Sequence, residues 1–443
     1  NIGSKSRIRV CQRTLNVFLN ARLEEHTDGE RQVDGTRTSR LVNLEVAQRD
    51  KRCRNLHFNQ IARRQVVRLG HRDDNRVQIA RRIKNIARFT REGICVDVST
   101  RRFHRILEQL LENGLLADTS DAAKRSLYDI TTFGEILIDF TWQGVNADGQ
   151  TLFAQNPGGA PANVAVAAAK LGGHTAFIGK AGNDMHGNFL KSVLEKEKVE
   201  TKGMILDDAY FTTLAFVNVG ENGERSFSFA RKPGADTRIE KEEIDIEILD
   251  NTQIFHVGSL SLTEEPARDT TLYAIRRAKD KGSIISYDPN YRASLWKDEK
   301  TAKTQMRSLI PYVDIMKISD EETELLTGKV SPAEAAAVLF QKGIKIAVIT
   351  LGSKGAYLYC KEGGVHIPGF VSKVVDTNGA GDSFWGGFLY CISKSGKKPD
   401  QFTMEELKAY VRFGNAVASI CVEKKGAIPA MPEMEKVKER MES

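Results

Sequence analysis

From Leu127 onward the chain alternates short apolar runs with helical stretches, and that alternation restricts the fold more than any other feature. Tyr128 to Phe140 (YDITTFGEILIDF) reads as a β-branched, apolar strand ending in a carboxylate. Asn163 to Leu171 is a compact Ala-rich helix closed by Gly172 and Gly173, glycine being the common residue just past a helix end. Thr175 to Ile178, Thr252 to Val257, Ser283 to Tyr287, Val313 to Ile318 and Ile344 to Thr350 read as strands, with helices at Ala267 to Lys281 and Pro332 to Lys342. Strands alternating with helices predict right-handed βαβ units, hence an α/β fold with a doubly wound, mainly parallel sheet flanked by helices. Ligands of such sheets bind beyond the carboxyl ends of strands, so polar residues there are the candidates for function.

Two stretches break the rhythm. Phe211 to Arg231 alternates apolar and polar residues about a Gly220–Gly223 turn, a hairpin pattern. Thr141 to Phe153 reads as strand, turn and strand. Segments near 141–157 and 211–232 are therefore expected to form a small β-sheet lid over the site, and that lid is a candidate homodimer surface.

The first 126 residues are different in kind. They hold 27 Lys and Arg against 15 Asp and Glu, and 23 of the cations are Arg; residues 127–443 hold 38 against 43. A basic arm can neutralise phosphates, and Arg81, Arg82, Lys84 and Arg88 would be the patch for nucleic acid. A transit peptide fits badly, because such peptides are poor in acids. Little apolar periodicity is sustained there beyond Phe103 to Leu116, a candidate amphipathic helix. The expectation is a disordered or non-functional extension without its own domain, consistent with upstream sequence translated from an incomplete gene model, and hence no nucleic-acid partner. No apolar run reaches the roughly 20 residues needed to cross a bilayer, and six scattered cysteines without a CxxC pair read as reduced thiols. A cytoplasmic location is expected.

The sharpest motif is Val374 to Leu389, VVDTNGAGDSFWGGFL. It reads as a strand, a Gly-rich turn from Asn378 to Gly381, and a helix beginning near Asp382. Backbone N–H groups at such a turn and first helical turn point together and can hold a phosphate, and the small residues Gly379, Ala380 and Gly381 allow close approach. Asp382 then stands beside the cradle, able to take a proton from an attacking hydroxyl, which suits phosphoryl transfer. A lone GAGD would read as a helix N-cap; the sixteen-residue stretch is far more specific. A second motif, Gly158-Gly159 before Ala160-Pro161-Ala162-Asn163, opens the Ala-rich helix, and the Asn163 amide can both give and accept hydrogen bonds. No Walker-A loop occurs: Gly173 to Lys180 has one residue too many, and Ala181 replaces the required Ser or Thr. No full GxGxxG follows a strand. His186 and His256 read as packing or solvent residues.

On these residues the chain resembles the PfkB, or ribokinase-like, carbohydrate kinases over 128–435. Both family signatures are present, GGAPANVAVAAAKLGGHTAFIGKAG at 158–182 and DTNGAGDSFWGGF at 376–388. GEILIDF at 134–140, FSFARKPGAD at 227–236, DPNYRASLW at 288–296 and KISDEETELLTG at 317–328 are most similar to fructokinases. The resemblance implies Asp382 as catalytic base and the backbone of Gly379, Ala380 and Gly381 as anion hole. It implies Asp139, Gly159 and Asn163 as sugar-binding residues, with Arg231 closing over the substrate from the lid. Glu322 matches the acidic residue of the family's N-x-x-E motif for magnesium and phosphate, where Ser319 stands in place of the typical Asn. Thr350, Gly352 and Lys354 resemble the nucleotide loop, with Asn415 on the helix beside the adenine. Asp376 with Lys424 to Pro429 resembles a potassium loop. The implied activity is ATP- and Mg2+-dependent phosphorylation of a sugar, D-fructose first, with 2-keto-3-deoxygluconate or ribose as alternatives. The first alternative is favoured by Arg292, which could pair with a sugar-acid carboxylate; nucleic-acid binding through the basic extension is the rival from another class.

Overall fold

The structure is a computed structural model that describes residues 127–219 and 225–442. The expectations for Arg81, Arg82, Lys84, Arg88, Phe103 to Leu116 and the Gly220–Gly223 turn lie outside these residues. The described residues fall within the second of two units of the chain, Ser126–Ser443.

Short apolar runs bounded by polar residues become the strands of a ten-stranded sheet. Its strands are β1 (Tyr128–Phe133), β4 (Thr175–Gly182), β5 (Val199–Glu200), β6 (Met204–Asp207), β9 (Thr252–Val257), β10 (Ile284–Tyr287), β11 (Ile315–Ser319), β12 (Ile346–Thr350), β13 (Ala356–Cys360) and β14 (Gly363–Ile367). The order is β14-β13-β12-β11-β10-β9-β1-β4-β5, with β6 also on β4; β13 alone is reversed, antiparallel to both its neighbours β12 and β14. The longer helices are α1 (Ala160–Lys170), α2 (Met185–Lys196), α3 (Ala267–Asp280), α4 (Glu299–Ser308), α5 (Pro332–Gln341), α6 (Ala380–Ser395), α7 (Met404–Cys421) and α8 (Met434–Glu442).

Neighbouring residues on each central strand feed opposite cores. Phe255, Ile285 and Met316 join one cluster with Ala274 of α3 and Leu339 of α5. Ile254, Ile284 and Ile315 join the other with Trp385 and Phe388 of α6 and Val411 of α7. Burial on both faces explains why these strands read as continuous apolar runs.

The run expected as one strand from Tyr128 to Phe140 divides. The chain leaves the large sheet after Phe133, Glu135 buries its carboxylate against the amide of Ala160, 3.1 Å away, and β2 (Leu137–Val145) begins in a second sheet. That sheet has the order β3-β2-β7-β8, with β3 at Thr151–Gly158, β7 at Leu214–Val219 and β8 at Arg225–Ala230. It is the expected second, smaller sheet. The expected strand entering the Gly-rich turn is absent: residues 368–377 form no ladder, and Val374 and Val375 are exposed. The amides of Val375 and Asp376 both donate to the carbonyl of Val422 instead, so this loop is fastened to the end of α7. Helix α1 starts at Ala160, with Pro161 in its first turn, rather than at Asn163. Among the described residues no helix is long and apolar enough to cross a membrane, and Cys360, Cys391 and Cys421 are free thiols.

Candidate active site

Two helix starts make the site. Helix α6 follows Gly379, whose φ of 73° is a left-handed conformation that glycine adopts without strain. A Cβ on Gly386 would stand 2.6 Å from Ala167 Cβ and 2.9 Å from the Val164 carbonyl, so its absence lets α6 settle directly on α1. That close approach brings Asn163 of α1 to Asp382 in the first turn of α6.

Asp382 is buried, and each of its oxygens accepts from an amide: Oδ2 from Asn163 at 2.8 Å and Oδ1 from Asn290 at 3.3 Å. Burial pushes its carboxyl above the usual range, opposed by the charge of Lys317, the Asn163 hydrogen bond and the charge of Arg292. The carboxylate is thus oriented and made more basic than one in water. Asn163 Oδ1 is buried with no partner among the described residues, an acceptor left over for a donor such as a hydroxyl.

Asp139 of β2 receives a long contact of 3.5 Å from the Asn378 amide. Burial lifts its carboxyl to about 6, with Asn378 and Arg292 pulling down and the charges of Asp382 and Asp376 pushing up. Gly159 is the residue immediately before α1. Asp139, Asn163, Asn378 and Asp382 are therefore gathered together, with Arg292 in electrostatic reach.

The residues expected around the nucleotide lie on loops beyond β11 and β12 and at the start of α6. Ser319 donates to Glu322 Oε2 from its amide (2.8 Å) and hydroxyl (3.1 Å), while Tyr291 N–H donates to Oε1 (2.7 Å). Glu322 thereby ties the loop after β10 to the turn after β11. Thr350 ends β12, and Gly352 to Lys354 form an exposed single turn beyond it. Asp376 accepts from the amides of Asn378 and Gly426, both at 2.9 Å, joining the loop before α6 to the one after α7. Buried Asn415 of α7 donates to the carbonyl of Pro368 at 3.0 Å and so braces the loop after β14.

Arg231 is held by protein groups. Its guanidinium is buried, with Nε on Asp236 (2.8 Å), Nη1 on Thr263 Oγ1 (2.9 Å) and Nη2 on the Leu260 carbonyl (2.9 Å). It ties the chain just after β8 to Asp236 and to the turn at Leu260–Thr263. Sequence reasoning missed Asn290, Asp288 and Lys317 as site residues. Lys317 donates to Asp288 Oδ2 across 2.6 Å; a lysine inside the run IMKIS was the available signal, since a buried cation requires a partner. His256 is buried beside Ser286 and pushed down to about 3 by burial and the charge of Lys317, so it is neutral and packs.

Among the described residues no three His, Cys, Asp or Glu side chains gather as a metal cage. The oxygens of Glu322 and Asp376 accept from backbone N–H groups. This donor set suits a metal ion carried by phosphates rather than one enclosed by protein. The small residues at the start of α6 suit a phosphate.

A mostly parallel, helix-flanked sheet with a second four-stranded sheet carries the buried carboxylate of Asp382 in the first turn of a helix opened by small residues. Residues 128–434 match the family model described as pfkB family carbohydrate kinase, and the chain belongs to that family. It is similar to fructokinase-2 of Solanum lycopersicum, 42% identical over 310 residues, covering 68% of this chain and 93% of the relative. Fructokinase-2 of Oryza sativa subsp. japonica is 41% identical over 307 residues, covering 68% and 90%. Among solved structures, fructokinase from Xylella fastidiosa with bound ATP superposes with a TM-score of 0.66 at 34% identity, covering 71% of this chain and 98% of that one. Fructokinase from Vibrio cholerae O395, in a form with fructose, ADP and calcium ion bound, gives 0.65 at 32% identity, covering 71% and 99%.

Proposed function

We propose that this carbohydrate kinase transfers the γ-phosphate of ATP to D-fructose, forming fructose 6-phosphate, and that residues 127–443 carry the chemistry without nucleic acid or the basic extension. The observation that carries this reading is the position of Asp382: a buried carboxylate, held by Asn163 and Asn290, in the first turn of a helix that opens with small residues. Asp139 and the free Oδ1 of Asn163 accept hydroxyls of the sugar, fixing which oxygen meets Asp382. That oxygen attacks the γ-phosphorus in line and its proton passes to Asp382. The bond from the γ-phosphorus to the β,γ-bridging oxygen breaks and ADP leaves with that oxygen. Amides of Gly379, Ala380 and Gly381 take the developing charge without reorganising, the largest single source of acceleration in sites of this type. Gly159 leaves the entry to α1 open for the sugar.

Ser319, Thr350, Gly352, Lys354 and Asn415 form or brace the loops around the nucleotide. A magnesium ion on the phosphates, with Glu322 holding the adjoining loops, would neutralise charge on the transferring group. Asp376 and the loop Lys424 to Pro429 are the candidate holders of a potassium ion. The lid sheet closes the site to water, and its partly exposed Trp142, Phe153 and Phe216 offer a surface for a second copy. ATP as co-substrate and free thiols suit a cytoplasmic enzyme.

A coupled ADP-release assay over a sugar panel tests the reading. Fructose is expected to be turned over with the highest kcat/KM. Weak turnover of fructose beside strong turnover of 2-keto-3-deoxygluconate or ribose would replace the substrate while leaving the kinase.

A further inference from the structure

Lys317 reaches from β11 to the start of α6. A methyl group on Gly381 would lie 2.8 Å from Lys317 Nζ, so the ammonium fills the space beside the second residue of that helix, in the first turn, whose N–H groups have no acceptor within the helix. Lys317 is only 5% exposed. An ammonium has three donors, and Asp288 Oδ2 takes one of them. The other oxygen of Asp288 is buried and without a partner among the described residues. A pair serving only to join β10 to β11 would be expected to satisfy its own atoms, because desolvating two charges costs as much as their attraction returns. Here donors and an acceptor are left over, next to an anion cradle.

We propose that Lys317 is a further catalytic residue of this kinase: its ammonium, aimed by Asp288, donates to the phosphoryl group during transfer and adds a full positive charge to the dipoles of the Gly379–Gly381 turn. Asp288 is a positioning residue. The charges facing Lys317 are Asp288, Asp382 and Glu322, and those facing Asp382 are Lys317 and Arg292, with Asp139 nearby. The site therefore holds more carboxylates than cations before a phosphate enters, and Lys317 is the larger of the two cationic influences on Asp382. Lys317 thus serves twice, meeting the phosphate and keeping the base ionised.

The proposal rests on the kinase reading, so variants are compared on whichever sugar of the panel the unaltered chain phosphorylates. Failure of fructose then shows in the unaltered chain and failure of Lys317 shows in the variants. Lys317→Met is expected to lower kcat by roughly 10²–10³, the loss seen when one oxyanion donor is removed, with KM for the sugar nearly unchanged. The acid limb of its kcat/KM profile should move to higher pH, because Asp382 loses its main opposing cation. The field of a lysine that only braced the sheet would move that limb too, but the rate on the plateau above it would stay near normal, so the plateau kcat separates the two roles. Lys317→Met also strands Asp288 as a buried unpaired charge, so the double variant K317M/D288N is measured beside it; it should fold and stay slow. A folded double variant with near-normal kcat overturns the proposal, and so does an unmoved acid limb in folded K317M. A chain inactive on every sugar would overturn the kinase reading and this proposal with it.

Discussion

The side-chain amide of Asn163 donates to Oδ2 of Asp382 across 2.8 Å, a contact between residues 219 positions apart. It couples the first turn of α1 to the first turn of α6. With Asn290 on the other oxygen, the carboxylate is held by donors that cannot take a proton from it. Replacing Asp382 by Asn keeps the shape and removes the basicity. Turnover is expected to fall by roughly 10²–10⁴, the usual contribution of a positioned general base, while sugar binding measured by calorimetry changes little. Burial already disfavours the charge on Asp382, so the variant should melt no lower than the unaltered chain. Near-normal turnover would remove Asp382 from the mechanism.

Gly379 is the backbone hinge of the cradle. At φ 73° a side chain is strained, and a Cβ there would stand 2.6 Å from Ala427 Cβ. Gly379→Ala should therefore cost about 1–2 kcal/mol for the backbone alone, push the loop at Ala427 aside and lower kcat. The double variant G379A/A427G relieves the collision but not the dihedral, so it should recover part of the lost stability in a urea titration. Full recovery would mean that φ at this position is not what matters.

The limits of reading this fold from its sequence follow from burial and pairing. Strand β9, Thr252–Val257, is recoverable to the residue because Asn251 and Gly258 bound it on either side. The break after Phe133 is marked in the sequence only by Gly134 and Glu135, an interruption too short to show that the apolar residues on either side belong to different sheets. Val374 and Val375 have strand propensity but find no partner strand, and pairing outweighs propensity. In the site, Asp382, Asn163 and Asp139 stand in motifs whose chemistry can be read locally. Asp288 and Asn290 stand in DPNYRASLW and Lys317 in KISDEETELLTG, but their meeting with Asp382 comes only through the adjacency of β10 and β11, a long-range fact those segments do not show.

Arg231 gives a prediction that separates a structural role from a binding one. Its partner Asp236 is itself 4% exposed and also accepts from Thr213 Oγ1 at 2.5 Å, at the root of the lid strands. Arg231→Met leaves that carboxylate buried without its cation, an arrangement that costs about 3–5 kcal/mol. A urea titration should show this loss. Unchanged stability with a raised KM for the sugar would instead return Arg231 to the substrate.

Glu135 supplies a pH dependence of stability. Its carboxyl is pushed to about 7 by burial, against its own backbone hydrogen bond and the charge of Arg231. One oxygen holds the Ala160 amide at 3.1 Å and the other is buried without a partner among the described residues. A carboxyl whose folded pKa lies above its ordinary 4.5 keeps its proton in the folded state after the unfolded chain has released it. The folded state is therefore favoured fully below that ordinary value and loses the advantage as pH rises through about 7, a change on the order of 3 kcal/mol at 1.36 kcal/mol per unit. Glu135→Gln keeps an acceptor for Ala160 and cannot ionise, so the fall in unfolding free energy between about pH 5 and pH 8 should shrink. It should not vanish, because Asp139 is raised to about 6 and contributes in the same direction. Urea titrations at both pH values measure the difference, and an equal fall in the variant and the unaltered chain would show that Glu135 is not protonated in the fold.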